Sequence, residues 1–388
     1  MSIDRETIHK VPIPTSFYCY LVADDGLFVS YDTENGLSTT SQTNDSVIWD
    51  LSGVDTITHV STGHVLSKSD HTDAGSFSIP IDGDSHTFRV RHGPAELPSE
   101  YLATFRKQGW VCLTQIIDDE TLKELERTAG TDRFAHLTIN RSQPAICQNA
   151  AVARTAAEPL SLWLIRQYMK TDDILLSHVP GFAVLGQDDG KRNVQGWHSD
   201  FPYHWGVPAR GLVPTPSGET VLGVQRNVCV SPFTREGGAT AFKLGSHALD
   251  RPPPKEWGDA TAHAKPGYRA EHGLPYNGPE ADIVEAPGGS IILYDSRTWH
   301  RAGVNRTPKK RAAILQAMTP MYVFPKNDTS RTYKQLLDSP VYNELNEREK
   351  QEIQNLMVHE FIGPGGEYAI TVDRELTETL KTATTGGY

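Results

Sequence analysis

The chain has 388 residues, of which 38% are hydrophobic and 22% charged, a balance typical of globular proteins rather than of long disordered segments. Its formal net charge of -11 offers no electrostatic basis for binding a phosphate backbone, which excludes nucleic acid as an expected partner. Four cysteines without a CxxC pair argue against a disulfide framework or a thiolate zinc site and favour a reducing, cytoplasmic location.

The first part of the chain predicts a small all-β module. Its N-terminal residues are polar and lack the apolar region of a signal peptide, and no apolar segment in the sequence approaches the length of a membrane span. Residues 17–92 contain short β-like segments separated by Gly, Asp, Asn and Ser. We assign this module to residues 1–95, with a scaffold or contact role preferred, and interpret residues 92–100 as a linker.

The remainder, residues 96–388, changes to helices that flank a β-rich region. A helix, a strand and a second helix follow the linker, and Asp118 or Asp119 is suited to cap that second helix. Residues 158–170 predict another helix, residues 174–323 are mostly β, and two further helices follow. The sequence therefore predicts a mainly β fold with flanking helices, built on a jelly-roll or cupin-like double-stranded barrel.

Two long connections rich in Pro and Gly interrupt the β-rich region, at roughly residues 201–219 and 248–280. Connections of that length inside a compact domain are usually functional or disordered. Because they follow predicted strands, we expect these two connections to form a lid that covers a site in the barrel.

The segment QGWHSDFPYHWG contains a candidate pair of metal ligands, His198 and Asp200. On a strand or its extended edge, side chains two residues apart point the same way, so both could meet one ion. An imidazole and a carboxylate suit Fe(II), Mn(II) or Zn(II). The pair alone is a weak signal, because a surface His or Asp explains most such matches.

A third candidate ligand, His300, ends an apolar strand, and Arg311 opens the next β-segment eleven residues later. Strand alternation places Arg311 on the face of Ala313, Leu315 and Ala317, toward an interior. A buried arginine needs an anion, and a carboxylate binds guanidinium through two parallel hydrogen bonds. A structural salt bridge and an exposed strand end are the alternatives.

In order along the chain, four segments resemble the phytanoyl-CoA dioxygenase-like branch of the Fe(II)/2-oxoglutarate oxygenases. They are the opening segment FRKQGWVCLTQIIDDETLKEL, the ligand pair in WHSD, the hairpin REGGATAFKLGSHALDR and the closing motif APGGSIILYDSRTWHRAGVNRTPKKRAAI. The resemblance covers roughly residues 97–325 and leaves residues 1–95 unexplained.

This resemblance implies that His198, Asp200 and His300 bind Fe(II), leaving positions open for 2-oxoglutarate and O2. It also implies that Arg311 binds the C5 carboxylate of 2-oxoglutarate. The family often has a Ser or Thr two residues after the distal histidine, where this chain has Ala302. A hydroxyl from another strand would have to replace that contact, and Gln225 is a candidate for a further cosubstrate contact.

The residues around these ligands give hypotheses for substrate contact. Phe201, Tyr203 and Trp205 begin the first long connection and are predicted to contact the substrate. His204 does not share the spacing of a ligand pair and is interpreted as a pocket or rim residue. Trp299 immediately precedes the distal histidine, where aromatic residues more often pack the barrel, with substrate contact as the alternative.

The reaction that the resemblance implies couples decarboxylation of 2-oxoglutarate to oxidation of a substrate C–H bond, with hydroxylation expected. Desaturation, epoxidation and rearrangement use the same ligands. The Pro-rich and aromatic connections favour a small, largely apolar metabolite, such as an intermediate of secondary metabolism, with a homodimer left open. The alternatives are a cupin-like metal-dependent isomerase or lyase, and a catalytically silent binding or assembly protein.

Overall fold

The fold is seen in a computed structural model that describes most of the chain. The described residues are 6–53, 56–67, 71–72, 76–81, 84–131, 140, 142–203, 219–249, 251–254, 257, 267–274, 278–323, 325–358, 360–363 and 366–369. Among them, no helix is long and apolar enough to cross a membrane.

The N-terminal region forms an antiparallel sheet of nine described strands. These strands are β2 (Cys19–Val22), β3 (Phe28–Asp32), β4 (Gly36–Thr40), β5 (Trp49–Asp50), β6 (Thr56–His59), β7 (Val65–Ser67), β8 (His71–Thr72), β9 (Ser76–Ile81) and β10 (Asp84–His92). Trp49 is fully buried at the centre of this sheet, and its indole N–H donates to the Val29 carbonyl at 3.0 Å. Short strands packed around Trp49 account for the short β-like segments in this part of the sequence.

The core of the molecule consists of two sheets that face each other. The larger sheet contains β11 (Trp110–Leu113), β12 (Ile174–Leu176), β13 (Gly181–Leu185), β14 (Val224–Cys229), β17 (Ile291–Asp295) and β19 (Arg311–Pro320). The smaller sheet contains β1 (Glu6–Lys10), β15 (Ala241–Lys243), β16 (Ala281–Glu285) and β18 (Trp299–Arg301). Phe242 and Tyr294 meet between the sheets, with ring centroids 5.0 Å apart. This is the predicted jelly-roll, double-stranded β-helix core.

The first strand, β1, belongs to the core and not to the N-terminal sheet. It pairs in parallel with β16, from Glu6 opposite Ala281 to Lys10 opposite Glu285. Within residues 1–95, the separate sheet therefore begins at β2, and the segment before it completes the smaller core sheet. The division into two domains at residue 95 stays a prediction with this amendment.

Apart from the five-residue helix at 268–272, the helices of the described residues cover the outer face of the larger sheet. They are α1 (Pro98–Gln108), α2 (Asp119–Ala129), α3 (Ala150–Ala156), α4 (Pro159–Met169), α5 (Tyr268–His272), α6 (Ser330–Leu337) and α7 (Glu347–Met357), and a hairpin of β20 (Glu360–Gly363) and β21 (Gly366–Ala369) follows. The cap of α2 is Asp118, whose carboxylate accepts from the backbone N–H groups of Glu120 and Thr121. Apolar residues of α1, α4 and α7 share one buried cluster with the outward side chains of β14, β17 and β19. The opposite face of that sheet is left for a site between the sheets.

Candidate metal centre and cosubstrate site

Two histidines and one aspartate converge at one end of the space between the sheets. His198 and His300 form an antiparallel bridge, with both backbone N–H···O distances at 2.9 Å. The Nε2 atom of His198 is 3.7 Å from Oδ1 of Asp200, and Nε2 of His300 is 3.1 Å from Oδ2. One donor atom from each side chain lies within 4.8 Å of the others, so the three could hold one metal ion.

The local backbone fixes the orientation of both imidazole rings. Nδ1 of His198 is 2.8 Å from the Gly196 carbonyl, and Nδ1 of His300 is 3.0 Å from the Thr298 carbonyl. A carbonyl can only accept, so each Nδ1 carries a proton, and in the neutral imidazole Nε2 keeps its lone pair for an ion. Both rings are buried. The two histidines are therefore held in the tautomer that a metal ligand requires.

The charge of Asp200 dominates the electrostatics of the three side chains. Burial by itself lowers the pKa of His300, but the Asp200 carboxylate outweighs burial and raises it overall. A bound cation would take the place of the proton between this imidazole and the carboxylate. The site thus has the negative charge and the lone pairs that favour a divalent cation.

Asp200 is itself held by one residue on β17 and one just after it. Its backbone N–H donates to the Ser296 carbonyl at 2.9 Å, and the Tyr294 hydroxyl donates to Oδ2 at 3.2 Å. The ring of Tyr294 also meets His300 edge-on, with centroids 5.3 Å apart, and Phe242 lies 6.1 Å from the same imidazole. These contacts orient the carboxylate and the second imidazole together.

Tyr294 is a site residue that the sequence reasoning missed. Burial, and then the charge of Asp200, raise its pKa well above the ordinary tyrosine value, so the phenol stays a neutral donor. The available signal was the alternation in SIILYD, which puts Ile292 and Tyr294 on the inner face of one strand. Alternation identifies the face, but not the aspartate that the hydroxyl would reach.

Arg311 begins β19 and lies on its inner face, in alternation with the buried Ala313, as predicted. The residue is 7% exposed, Nη2 donates to the Gly238 carbonyl at 3.0 Å, and the guanidinium carbon is 4.8 Å from the Phe233 ring centroid. The remaining donors, Nε and Nη1, are buried and have no hydrogen-bond partner among the described residues.

The environment of Arg311 is suited to an anion. Burial lowers its pKa to about 10, which still leaves the side chain cationic at neutral pH. Buried donors on a charged group are costly when they stay unsatisfied. A carboxylate can accept from two guanidinium N–H groups at once, and this would satisfy both orphaned donors. The arrangement corresponds neither to an exposed strand end nor, within the described residues, to a structural salt bridge.

Two other residues of the predicted cosubstrate site have defined backbone or side-chain partners. Gln225 is buried on β14, and its amide nitrogen donates to the Ser296 hydroxyl at 3.0 Å. Gln225 therefore supports the turn that binds the Asp200 backbone, and its cosubstrate role stays a prediction. Ala302 donates its backbone N–H to the Gln195 carbonyl at 3.1 Å.

The aromatic residues after Asp200 differ in their placement. Phe201 is half-buried, whereas Tyr203 is buried and its hydroxyl accepts from the Leu222 backbone N–H at 2.6 Å. Burial raises the pKa of Tyr203 to about 12. Tyr203 thus has a packing role in this structure, and its contact with substrate stays a prediction. His204 and Trp205 lie outside the described residues.

Trp299 lies on the sheet face opposite to His300. It neighbours His300 on β18, so the two side chains point to opposite sides. The indole is buried, donates to the Arg251 carbonyl at 2.9 Å and meets Trp257 edge-on at 5.4 Å. This placement favours packing, and contact of Trp299 with substrate stays a prediction.

Two facing sheets with a two-histidine, one-carboxylate cluster between them are typical of the non-haem Fe(II) oxygenases. A family comparison agrees. The chain belongs to the phytanoyl-CoA dioxygenase (PhyH) family, whose model matches residues 105–313, more than half of its length. Members of this family use Fe(II), 2-oxoglutarate and O2. The predicted resemblance is therefore confirmed, and the family is of the 2-oxoglutarate-dependent oxygenase type.

Similarity to curated proteins is confined to a segment. An uncharacterized protein of Mycobacterium tuberculosis is 31% identical over 141 residues, which are 36% of this chain and 40% of the relative. The dioxygenase olcK of Penicillium canescens is 29% identical over 143 residues, or 37% and 39% of the two chains. The matched segment thus spans about two fifths of the length of these relatives.

Solved structures of the nogalamycin-biosynthesis epimerase SnoN, a non-haem α-ketoglutarate-dependent enzyme, are also similar. Each is 18% identical and covers 58% of this chain. The TM-score is 0.39 for one structure and 0.40 for the complex with Fe3+, α-ketoglutarate and nogalamycin RO. They cover 81% and 84% of the SnoN chains, respectively.

Proposed function

We propose that this protein is an Fe(II)/2-oxoglutarate-dependent dioxygenase that hydroxylates a C–H bond of a small, largely apolar metabolite. In this proposal His198, Asp200 and His300 bind the iron, and Arg311 binds the C5 carboxylate of 2-oxoglutarate. The observation that carries it is the buried Arg311 guanidinium with two orphaned donors, on the inner face of the same barrel as the three ligands.

The three side chains fit the metal of the family. Two neutral imidazoles and one carboxylate are the donor set that non-haem Fe(II) enzymes use. Ligand atoms on adjacent positions around an ion lie about 3 Å apart when the bonds are about 2.1 Å long. The His300 to Asp200 distance of 3.1 Å matches this spacing, and the His198 to Asp200 distance of 3.7 Å needs only a small adjustment.

Each residue then has a distinct task. The two Nδ1 hydrogen bonds keep each Nε2 directed at the ion, and Tyr294 holds Asp200 against rotation. Arg311 binds and orients the cosubstrate by its far carboxylate. When bound, the iron and 2-oxoglutarate together supply the oxidising equivalents from O2 for the C–H bond. The apolar interior between the sheets excludes water from this reaction.

The inner face of β19 is suited to form an apolar wall against which a substrate or cosubstrate would bind. Leu315 is 38% exposed although its neighbours along the strand are buried. It lies opposite Gly181 on β13, and among the described residues no atom lies within 4 Å of the place where a Gly181 side chain would begin. An apolar side chain beside open space inside a barrel is typical of a ligand-binding wall.

Arg311 also distinguishes the proposal from a cupin-like isomerase or lyase. Such an enzyme binds a metal but has no need of 2-oxoglutarate, so it would leave the buried guanidinium without a function. The enzyme proposed here uses it directly.

The test is 2-oxoglutarate binding to the Mn(II)-loaded protein, measured by isothermal titration. Arg311→Met keeps most of the side-chain volume but removes the charge and donors. We expect affinity to fall by roughly 10- to 100-fold, since hydrogen bonds to charged groups are worth about 1.5–3 kcal/mol. Arg89→Met, at an exposed position of the N-terminal sheet, is the matched control. Equal affinity in Arg311→Met and wild type would contradict the proposal.

A further inference from the structure

A buried ion cluster joins the N-terminal strand β1 to the back of the candidate metal centre. The Glu6 side chain is 4% exposed, and its carboxylate accepts from Arg301 Nη2 at 2.9 Å and from Arg235 Nε at 2.6 Å. The Arg301 side chain is 5% exposed. Glu6 therefore provides a buried negative charge between two arginines. Its strand lies nearly 300 residues before Arg301 in the sequence.

Arg301 connects this cluster to both histidine-bearing segments. The antiparallel bridge between His198 and His300 places Trp197 and Arg301 opposite each other on the next pair of positions. The guanidinium carbon of Arg301 lies 5.6 Å from the Trp197 ring centroid, and Trp197 is buried. Arg301, which follows His300 in the chain, thus places its guanidinium against Trp197, which precedes His198.

This contact lies on the face of the smaller sheet that is opposite to the histidine rings. Side chains alternate along β18, so His300 points between the sheets while Arg301 points outward. A buried arginine is retained in place by its carboxylate, because the loss of one partner of a buried pair is strongly unfavourable. Without Glu6, we expect Arg301 to move toward water and to pull the adjoining backbone with it.

We infer that Glu6 is a positioning residue for the metal centre, acting through Arg301 and Trp197 on the two histidines. The inference rests on the proposed function, because it requires that His198 and His300 bind a metal. It adds a residue outside residues 105–313, the part of the chain that matches the family. The N-terminal strand would then be part of the catalytic core and not an appendage.

The experiment measures Mn(II) binding to metal-free protein by electron paramagnetic resonance, without 2-oxoglutarate or turnover. Glu6→Gln should weaken Mn(II) binding by about tenfold, the lower end of the effect of outer-shell substitutions at metal sites. Glu280→Gln is the matched control, because this exposed carboxylate accepts from the Thr7 hydroxyl across the same strand pair. Its Mn(II) affinity should stay within about twofold of wild type.

A double-mutant cycle separates positioning from general destabilisation. If Glu6 acts through Arg301, Glu6→Gln should cause no further loss of Mn(II) affinity when Arg301→Met is already present. Additive losses would overturn the inference, and so would wild-type affinity in Glu6→Gln.

A second variant covers the case in which Glu6→Gln does not fold. Arg301→Lys keeps a cation for Glu6 but loses the planar contact with Trp197, and it should also weaken Mn(II) binding. Wild-type affinity in folded Arg301→Lys would overturn the inference. A wild-type protein that binds no Mn(II) would overturn the proposed function as well, which distinguishes that outcome from failure of the inference alone.

Discussion

At the scale of single residues, the candidate centre depends on hydrogen bonds that orient its donors. Each imidazole is fixed by one carbonyl, and the Asp200 carboxylate is fixed by the Tyr294 hydroxyl. Such outer contacts determine whether three side chains of the right type also present the right atoms. Of these three contacts, the one made by the Tyr294 hydroxyl comes from a side chain, so a substitution can remove it without changing a proposed ligand.

Tyr294→Phe should weaken metal binding by about tenfold, because the carboxylate loses the donor that holds Oδ2. The ring packing against His300 is kept, so thermal unfolding of the metal-free protein should change little. Mn(II) titration is the measurement, with Tyr322→Phe as the control, since Tyr322 is 67% exposed. Unchanged Mn(II) affinity in Tyr294→Phe would show that the hydroxyl does not orient Asp200.

At the scale of elements, β1 completes the smaller sheet, and the Glu6 pair contributes to its stability. Burial alone raises the pKa of Glu6, but the hydrogen bonds from Arg235 and Arg301 outweigh burial and hold it below its ordinary value. A carboxyl with a lowered pKa stabilises the folded state above its unfolded pKa. That stabilisation is lost as the pH falls through the folded pKa.

The stability of Glu6→Gln should therefore differ from wild type by an amount that depends on pH. At pH 6–8 we expect a loss of roughly 3 kcal/mol in the free energy of unfolding, as for other broken buried pairs. The loss should shrink as the pH falls below the unfolded pKa of a glutamate, about 4.3, and then through the lower folded pKa of Glu6. Urea unfolding of metal-free protein at several pH values measures this. A difference that stays constant down to pH 3.5 would show that the folded state does not lower the pKa of Glu6.

The strands also show which parts of the fold could be predicted. The interior position of Arg311 followed from a period of two along β19, because a strand with both faces buried still alternates its two faces. The pairing of β1 with β16 could not be predicted. Its five residues carry a weak apolar pattern, and parallel pairing between segments about 275 residues apart leaves no local turn signal.

At the scale of the whole molecule, the order of the four family-like segments along the chain was more informative about the fold and the site than any single motif. His198, Asp200 and His300 come from segments a hundred residues apart, and the barrel brings them together because the segment of His198 forms a bridge to β18 of the smaller sheet. The resemblance indicated this assembly. The outer contacts of Glu6 and Tyr294 depend on side-chain distances in the folded protein, which spacing along the sequence does not determine.

The N-terminal sheet packs against the helical side of the molecule. Ser99, at the start of α1, donates its hydroxyl to Asp45 at 2.6 Å, and the backbone N–H of Arg348 in α7 donates to the Asp25 carbonyl at 3.0 Å. These contacts lie on the outer side of the larger sheet, whereas the proposed metal centre lies on its inner side. The sheet of β2–β10 is thus attached to the helical side, and its scaffold or contact role stays a prediction. Of the described strands before residue 95, only β1 pairs within the smaller core sheet.

The most direct test of the central claim is anaerobic spectroscopy of the metal-free protein after addition of Fe(II) and then 2-oxoglutarate. We predict a weak visible charge-transfer band of the Fe(II)–2-oxoglutarate chelate in wild type and in His86→Ala, whose histidine is exposed on β10. The band should be absent in His198→Ala and His300→Ala. The absence of a band in wild type, or an unchanged band in His198→Ala, would contradict the account.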